Sequence, residues 1–295
     1  MTKVLITGAT GNVGVETVKA LLNMDHHLNL YAGVRDLKAD NISLSANGIK
    51  CLHFDFLDIQ TYKHALLGCD VLFLMRPPQI SAVDKYFKPL INACVEEGVG
   101  HIVFLSVQGV EKSNIIPHHK IEKLIRASNI VYTFLRPAYF MQNLTTTLRV
   151  DLVTHSRIYL PAGQAKFVLI DVRDIGAVAA NILTNISQHT NKSYELTGNE
   201  KLTFFEMANR IGTQLGIPMR FESPNLLQFF IAKRREHVPV GLILVMIMLH
   251  YLPGFQKEPE LTDWVKKITN KDPITFDQFI NDNRLLLLPE MDKEL

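Results

Sequence analysis

Lys3-Val4-Leu5-Ile6-Thr7-Gly8-Ala9-Thr10-Gly11-Asn12-Val13-Gly14 runs directly into the helix-forming stretch Val15 to Asn23. The order of residue types is buried strand, glycine turn, helix. A helix beginning there aims its unpaired N–H groups and the positive end of its dipole back at the turn, which makes a receptor for a pyrophosphate. Gly8 permits the turn, Gly11 lets the backbone approach phosphates without a Cβ, and Gly14 lets the helix pack close to the strand. Gly8, Thr10, Gly11, Asn12 and Val13 are the expected nucleotide contacts. The spacing is G-x-x-G-x-x-G, so the signal rests on its strand, turn and helix context more than on the glycines alone.

Working outward, strand-like apolar runs recur at Val4–Thr7, Leu28–Val34, Lys50–Phe54, Val71–Met75, His101–Leu105 and Val131–Leu135. Helical stretches such as Ile80–Glu97 and Pro117–Ser128 lie between them. Runs that are apolar throughout fit strands covered on both faces, and the intervening stretches are long enough for crossover helices. The pattern predicts an α/β fold with a doubly wound parallel sheet, Asp58 capping a helix and Pro117 at a first helical position. Residues 1–155 read as the nucleotide-binding domain, completed by about 166–196 through Phe167–Asp171, a helix from Val172 to Ile186 and a short strand Ser193–Leu196. Residues 197–295 read as a smaller, mostly helical C-terminal lobe, with helices over Thr203–Leu215, Asn225–Arg235, Val240–Leu252, Leu261–Ile268 and Phe276–Asn281.

Composition narrows the classes. Of 295 residues, 47% are hydrophobic and 20% charged, and the formal net charge is +2. That supplies no basic field for nucleic acid. Cys51, Cys69 and Cys94 lack C-x-x-C spacing and read as reduced core thiols. The pairs His26-His27 and His118-His119 lack ligand spacing, so no metal is expected. The first strand begins by residue 3 and leaves no room for a secretory signal, so the expected location is cytoplasmic. The uncharged run Gly241–Leu249 lies between Pro239 and Pro253. A helix of about a dozen residues reaches roughly 20 Å, short of the roughly 30 Å hydrocarbon core, so no transmembrane segment is expected. It reads as a buried helix, a substrate lid or a subunit contact ahead of a membrane-surface helix beside Lys233-Arg234-Arg235.

The second strand ends Ala32-Gly33-Val34-Arg35-Asp36. An acidic residue at that place bonds the ribose 2′-hydroxyl of NAD, whereas an Arg accommodates the 2′-phosphate of NADP. Arg35 is placed to pair with a phosphate, with Lys38 adding to the field, while Asp36 either approaches a ribose hydroxyl or caps the next helix. NADPH is the expected cofactor, preferred over NADH.

His101-Ile-Val-Phe-Leu-Ser106, Pro117-His-His-Lys-Ile-Glu-Lys123, Tyr132-Thr-Phe-Leu-Arg-Pro-Ala-Tyr-Phe-Met-Gln-Asn143 and Ile170-Asp-Val-Arg-Asp-Ile-Gly176 follow the glycine turn in order. Together they resemble the NmrA-like family of atypical short-chain dehydrogenases. The resemblance implies an NADP-preferring Rossmann domain with a small C-terminal lobe. It implies either an NADPH-dependent quinone or azo-compound reductase or a regulator that binds the nucleotide without turning it over. On that resemblance Asp55, followed by Phe56, contacts the adenine amino group, and Tyr139, Phe140 and Gln142 contact the nicotinamide half. The loop from Arg76 is expected beneath the ribose and nicotinamide. Tyr139 and Phe140 have ordinary packing as their alternative, and Ser106, at a place where the superfamily has a substrate-bonding serine, has a strand-end cap.

The superfamily's Tyr-x-x-x-Lys pair is missing: its positions hold Asn114 and His118. A conventional alcohol dehydrogenase needs an acid of matched pKa beside the hydride acceptor and is disfavoured, as is a nucleotide-sugar epimerase. His118, at the start of the helix opened by Pro117, is expected as a neutral imidazole that bonds the ribose or a bound carbonyl, or else as a structural histidine. The candidate catalytic residues are therefore His118, Tyr139 and Ser106. A quinone-like or azo-like flat acceptor suits such a site, because quinone reduction yields a stabilised hydroquinone without a dedicated tyrosine. The alternative is a non-catalytic NADP(H) sensor. The expected partners are a small-molecule electron acceptor and a homodimer or protein contact through the C-terminal lobe.

Overall fold

The computed structural model describes residues 1–37 and 48–288. Their strands are β1 (Thr2–Thr7), β2 (Leu28–Val34), β3 (Lys50–His53), β4 (Val71–Met75), β5 (His101–Leu105) and β6 (Val131–Pro137). After them come β7 (Tyr139–Phe140), β8 (Arg157–Tyr159), β9 (Lys166–Ile170), β10 (Lys192–Leu196), β11 (Lys201–Thr203) and β12 (Arg220–Glu222). The helices are α1 (Asn12–Leu22), α2 (Gln60–Leu66), α3 (Val83–Glu96), α4 (Pro117–Ala127), α5 (Arg149–His155) and α6 (Val172–Thr184). The rest are α7 (Phe204–Leu215), α8 (Leu226–Arg235), α9 (Val240–Tyr251), α10 (Trp264–Thr269), α11 (Phe276–Asp282) and α12 (Arg284–Leu287).

The chain divides into two compact units. The first comprises Met1–Ala138, Val172–Leu196 and Asp263–Asp272. Its seven-stranded sheet has the order β10-β6-β5-β4-β1-β2-β3, and every neighbouring pair is parallel. The strand order reverses at β1 and β4, the switch point at which open α/β sheets receive ligands. Leu5, Leu72, Phe73, Phe104 and Phe134 are fully buried, as expected for strands covered on both faces. On one face α1 packs against α6 at Gly176, where a Cβ would come within 2.6 Å of the Glu16 backbone. Asp58 Oδ1 accepts the Gln60 N–H at 3.0 Å at the start of α2, and Pro117 is the first residue of α4. Cys69 and Cys94 are buried free thiols.

The second unit comprises Tyr139–Asp171, Thr197–Thr262 and the chain from Pro273. It holds a three-stranded sheet, β11-β9-β7, and the pair β12-β8. Capping boxes open α7 at Thr203 and Glu206 and α8 at Asn225 and Gln228, so both helix starts are locally encoded. Phe204, Phe229, Phe276 and Phe279 fill its core.

This division differs from the one expected at 155 and 197. The segment Phe167–Asp171 was expected to complete the nucleotide-binding domain, but β9 pairs with β7 and β11 within the second unit. Asp263–Asp272 returns to the first unit, where α10 packs on α6. The helix expected at 240–252 as a buried helix, a substrate lid or a subunit contact is buried on one face only. Ile243, Met246 and His250 point inward, whereas Leu244 and Leu249 are 55% and 50% exposed. No helix among the described residues is long and apolar enough to cross a membrane.

Candidate active site

The carboxyl ends of β1, β2, β4 and β5 gather most of the expected site residues of the first unit. At β1 the turn is built around backbone approach. Gly8 has a φ of +65°, the Gly11 N–H bonds the Gly8 carbonyl at 2.9 Å, and Gly8, Thr10, Gly11 and Asn12 are exposed. A Cβ on Gly14 would lie 2.1 Å from the Gly8 carbonyl oxygen and 2.7 Å from the Ala9 Cα. No side chain caps the start of α1 and its first turn holds no acid, so its leading N–H groups are left for another acceptor. Val13 is buried behind them.

Thr7 braces this turn. Its fully buried Oγ1 donates to the Phe73 carbonyl at 3.2 Å and accepts the Met75 N–H at 2.8 Å, tying the end of β1 to that of β4. Arg35 stands exposed just beyond β2; Lys38 lies outside the described residues. Asp55 Oδ1 accepts the Leu57 N–H at 2.9 Å, which fixes the carboxylate in a local turn, and Phe56 is buried edge-on against Phe54.

Beyond β4, Arg76 meets His118. The guanidinium Nε donates to His118 Nε2 at 3.4 Å, and Nη1 is held by the carbonyls of Pro77, Pro78 and Ile80 at 3.0, 3.0 and 2.8 Å. With Nε2 accepting, the His118 proton sits on Nδ1. Burial, and then the Arg76 charge, push this imidazole down to about 3, so it is neutral at physiological pH. Ser106 follows β5, 2% exposed, and among the described residues its Oγ has no hydrogen-bond partner. It does not act as a strand-end cap. Buried hydroxyls ordinarily find a partner, and that of Ser106 is available to one.

In the second unit Tyr139 is oriented by its own core. The His250 Nδ1–H is given to the Met246 carbonyl at 2.7 Å, so Nε2 accepts from the Tyr139 hydroxyl at 3.0 Å. The Tyr139 ring meets Phe167 and Phe204 edge-on, and burial pushes its phenol well above the ordinary range. Gln142 Nε2 donates to Asp171 Oδ1 at 2.9 Å, and Phe140 is half-buried. Among the described residues, no group of three or more His, Cys, Asp or Glu side chains is arranged to hold a metal.

The family model described as the NmrA-like family matches residues 1–271. The chain belongs to the NmrA-like family. Among relatives, the NAD(P)H azoreductase of Xenophilus azovorans is 30% identical over 94% of this chain and 96% of its own. Quinone oxidoreductase 2 of Escherichia coli is 27% identical over 81% of this chain and 84% of its own. The crystal structure of an NADPH-dependent quinone oxidoreductase from Escherichia coli, complexed with NADPH, superimposes with a TM-score of 0.83. It covers 95% of this chain and 99% of that one at 24% identity, so this likeness is one of fold.

For an NmrA-like chain, three features of the site escaped sequence reasoning. Thr7 sits in an apolar run and reads as strand filler; only the β1–β4 pairing gives its hydroxyl two partners. The contact of Arg76 with His118 spans 42 residues and has no spacing signature. His250, buried within an otherwise apolar helix, gave the one available signal: a lone polar residue in such a run needs a partner, here Tyr139.

Proposed function

We propose that this NmrA-like protein is an NADPH-dependent oxidoreductase that delivers hydride to a flat electrophile of the quinone or azo class. The observation that carries the reading is the turn after β1, whose geometry has no room for a Cβ at Gly14 and whose helix start lacks a cap of its own. That cradle fits a pyrophosphate. Gly8, Thr10, Gly11, Asn12 and Val13 would hold it, Arg35 the 2′-phosphate, and Asp55 beside Phe56 the adenine. When bound, NADPH supplies a hydride.

The residues beyond β4 and β5 supply orientation and hydrogen-bond donors. His118, neutral with Nδ1–H, donates to an acceptor oxygen or nitrogen, and the unpaired Ser106 Oγ offers a second donor. Neither is a strong acid. A quinone needs none, because its reduction product is aromatic and solvent can complete protonation, which accords with Asn114 and His118 standing where a Tyr and a Lys would serve a ketone reductase. The Tyr139 hydroxyl is given to His250, and its raised pKa makes it a poorer acid, so the proton is assigned to solvent while His118, neutral, contributes a hydrogen bond.

Arg35→Ala tests the cofactor assignment. A lost charge-assisted bond is worth about 1.5–3 kcal/mol, so NADPH should bind roughly 10- to 150-fold more weakly while NADH changes little. Titration of both nucleotides by fluorescence reads this directly, and equal weakening of the two would remove Arg35 from the 2′-phosphate.

A further inference from the structure

Arg76 is a charge without a counter-ion. Its Nη1 is committed to three backbone carbonyls and its Nε to a neutral imidazole. Among the described residues no carboxylate pairs with it, and burial alone shifts its pKa, downward. The described residues make no hydrogen bond to Nη2, and the Arg76 side chain is only partly buried. The anchoring has already removed most of the side-chain freedom that an arginine gives up on binding. What remains is a positive charge with the two diverging N–H groups of Nη2, which donate singly to an oxygen of a carboxylate or sulfonate.

A second observation lies beside it. Met75 and Leu105 are register partners, so Arg76 and Ser106 leave adjacent strands at the same level, and the Ser106 Oγ is buried without a partner. The position also separates this cation from the nucleotide's own phosphates. In the order β4-β1-β2-β3 the phosphate turn follows β1, with Arg35 and Asp55 beyond β2 and β3 on its far side. Arg76 stands on the opposite side, where a neutral nicotinamide and its acceptor would lie.

We propose that Arg76 is a specificity-determining binding residue whose Nη2 edge receives an anionic substituent of the electron acceptor, with the Ser106 hydroxyl as a neighbouring donor. The acceptor class is thereby narrowed to flat electrophiles that carry a carboxylate or sulfonate. This rests on the reductase reading above.

The test is equilibrium binding of a matched dye pair, 4-(phenylazo)benzoate and its methyl ester, to the full chain saturated with NADP⁺, so that no turnover is needed. The wild type should bind the acid at least about tenfold more tightly than the ester, a difference of about 1.4 kcal/mol. Arg76→Gln should erase that preference, and Arg76→Lys, which keeps the charge but not the anchored Nη2 donor, should restore part of it. Equal affinity of the wild type for acid and ester overturns the proposal without recourse to any variant. So does a tenfold or larger loss of NADP⁺ affinity in Arg76→Gln with the acid preference intact, because the anion would then be the cofactor's. If the wild type binds no NADP⁺, the reductase reading fails separately, and the acid and ester comparison is decided on the nucleotide-free protein.

Discussion

Gly14→Ala is expected to lower NADPH affinity by at least roughly 100-fold and to destabilise the first unit by about 3 kcal/mol or more. The added methyl would meet the Gly8 carbonyl oxygen at 2.1 Å and the Ala9 Cα at 2.7 Å. Both atoms are backbone, so no rotamer change relieves the contact. Either α1 moves away from β1 or the turn opens, and each outcome displaces the N–H groups that would meet the pyrophosphate. The better helix propensity of Ala returns less than about 1 kcal/mol and cannot offset this. Gly98→Ala is the control. Gly98 has a positive φ, +72°, which Gly14 lacks, but open space around its Cβ, so it should lose only about 1 kcal/mol and keep its nucleotide affinity. Urea unfolding and a fluorescence titration of both variants check the pair. A Gly14→Ala protein that binds NADPH like the wild type would contradict the cradle.

Acidification should destabilise the fold well before the carboxylates titrate. Burial, with His189 nearby, pushes His101 down to about 4; burial and Arg76 push His118 to about 3; burial, opposed by the Met246 carbonyl, pushes His250 to about 4. The ordinary value is about 6.5. Between there and about 4 the unfolded chain binds protons that the folded chain refuses, so stability is fully present above about pH 7 and falls as the pH drops through that window. At pH 5 each group is about 1.5 units below its unfolded pKa, on the order of 2 kcal/mol apiece, a large part of a typical 5–15 kcal/mol total. Glu195, pushed up by burial and by Glu111, works in the opposite sense. Two of the histidines make bonds that only the neutral ring can make: His118 Nε2 accepts from Arg76 Nε, and His250 Nε2 accepts from Tyr139. His101 donates its Nε2–H to Thr133 Oγ1, which itself donates to the His189 carbonyl. Urea midpoints at pH 7.5 and pH 5 should therefore differ strongly, and His101→Gln should shrink the difference. A midpoint independent of pH would mean that these rings are solvated.

The parallel sheet was readable because its strands are apolar throughout, and each of the first six runs lies within a residue or two of its observed strand. The second sheet was not. Phe167-Val-Leu-Ile170 is as apolar as any strand of the first sheet, and nothing local distinguishes pairing with β7 and β11 from membership of the parallel sheet. The return of Asp263–Asp272 to the first unit is equally long-range. At the site, the glycine turn was legible because its chemistry is local. The partners of Arg76 and Tyr139 were not, since the contact to His118 spans 42 residues and the one to His250 spans 111. His118 could be expected neutral from its place at a helix start, but the larger physical causes, burial and the Arg76 charge, are tertiary.

The measurement closest to the central claim is the initial rate of NADPH loss when the protein is mixed anaerobically with benzoquinone, corrected for the uncatalysed reaction, with Gly14→Ala run in parallel. The account predicts a rate that saturates in both substrates, is far lower with NADH, and falls to the uncatalysed level in the variant. NADPH binding without any rate above background, for quinones and azo dyes alike, would contradict it and leave a nucleotide sensor in its place.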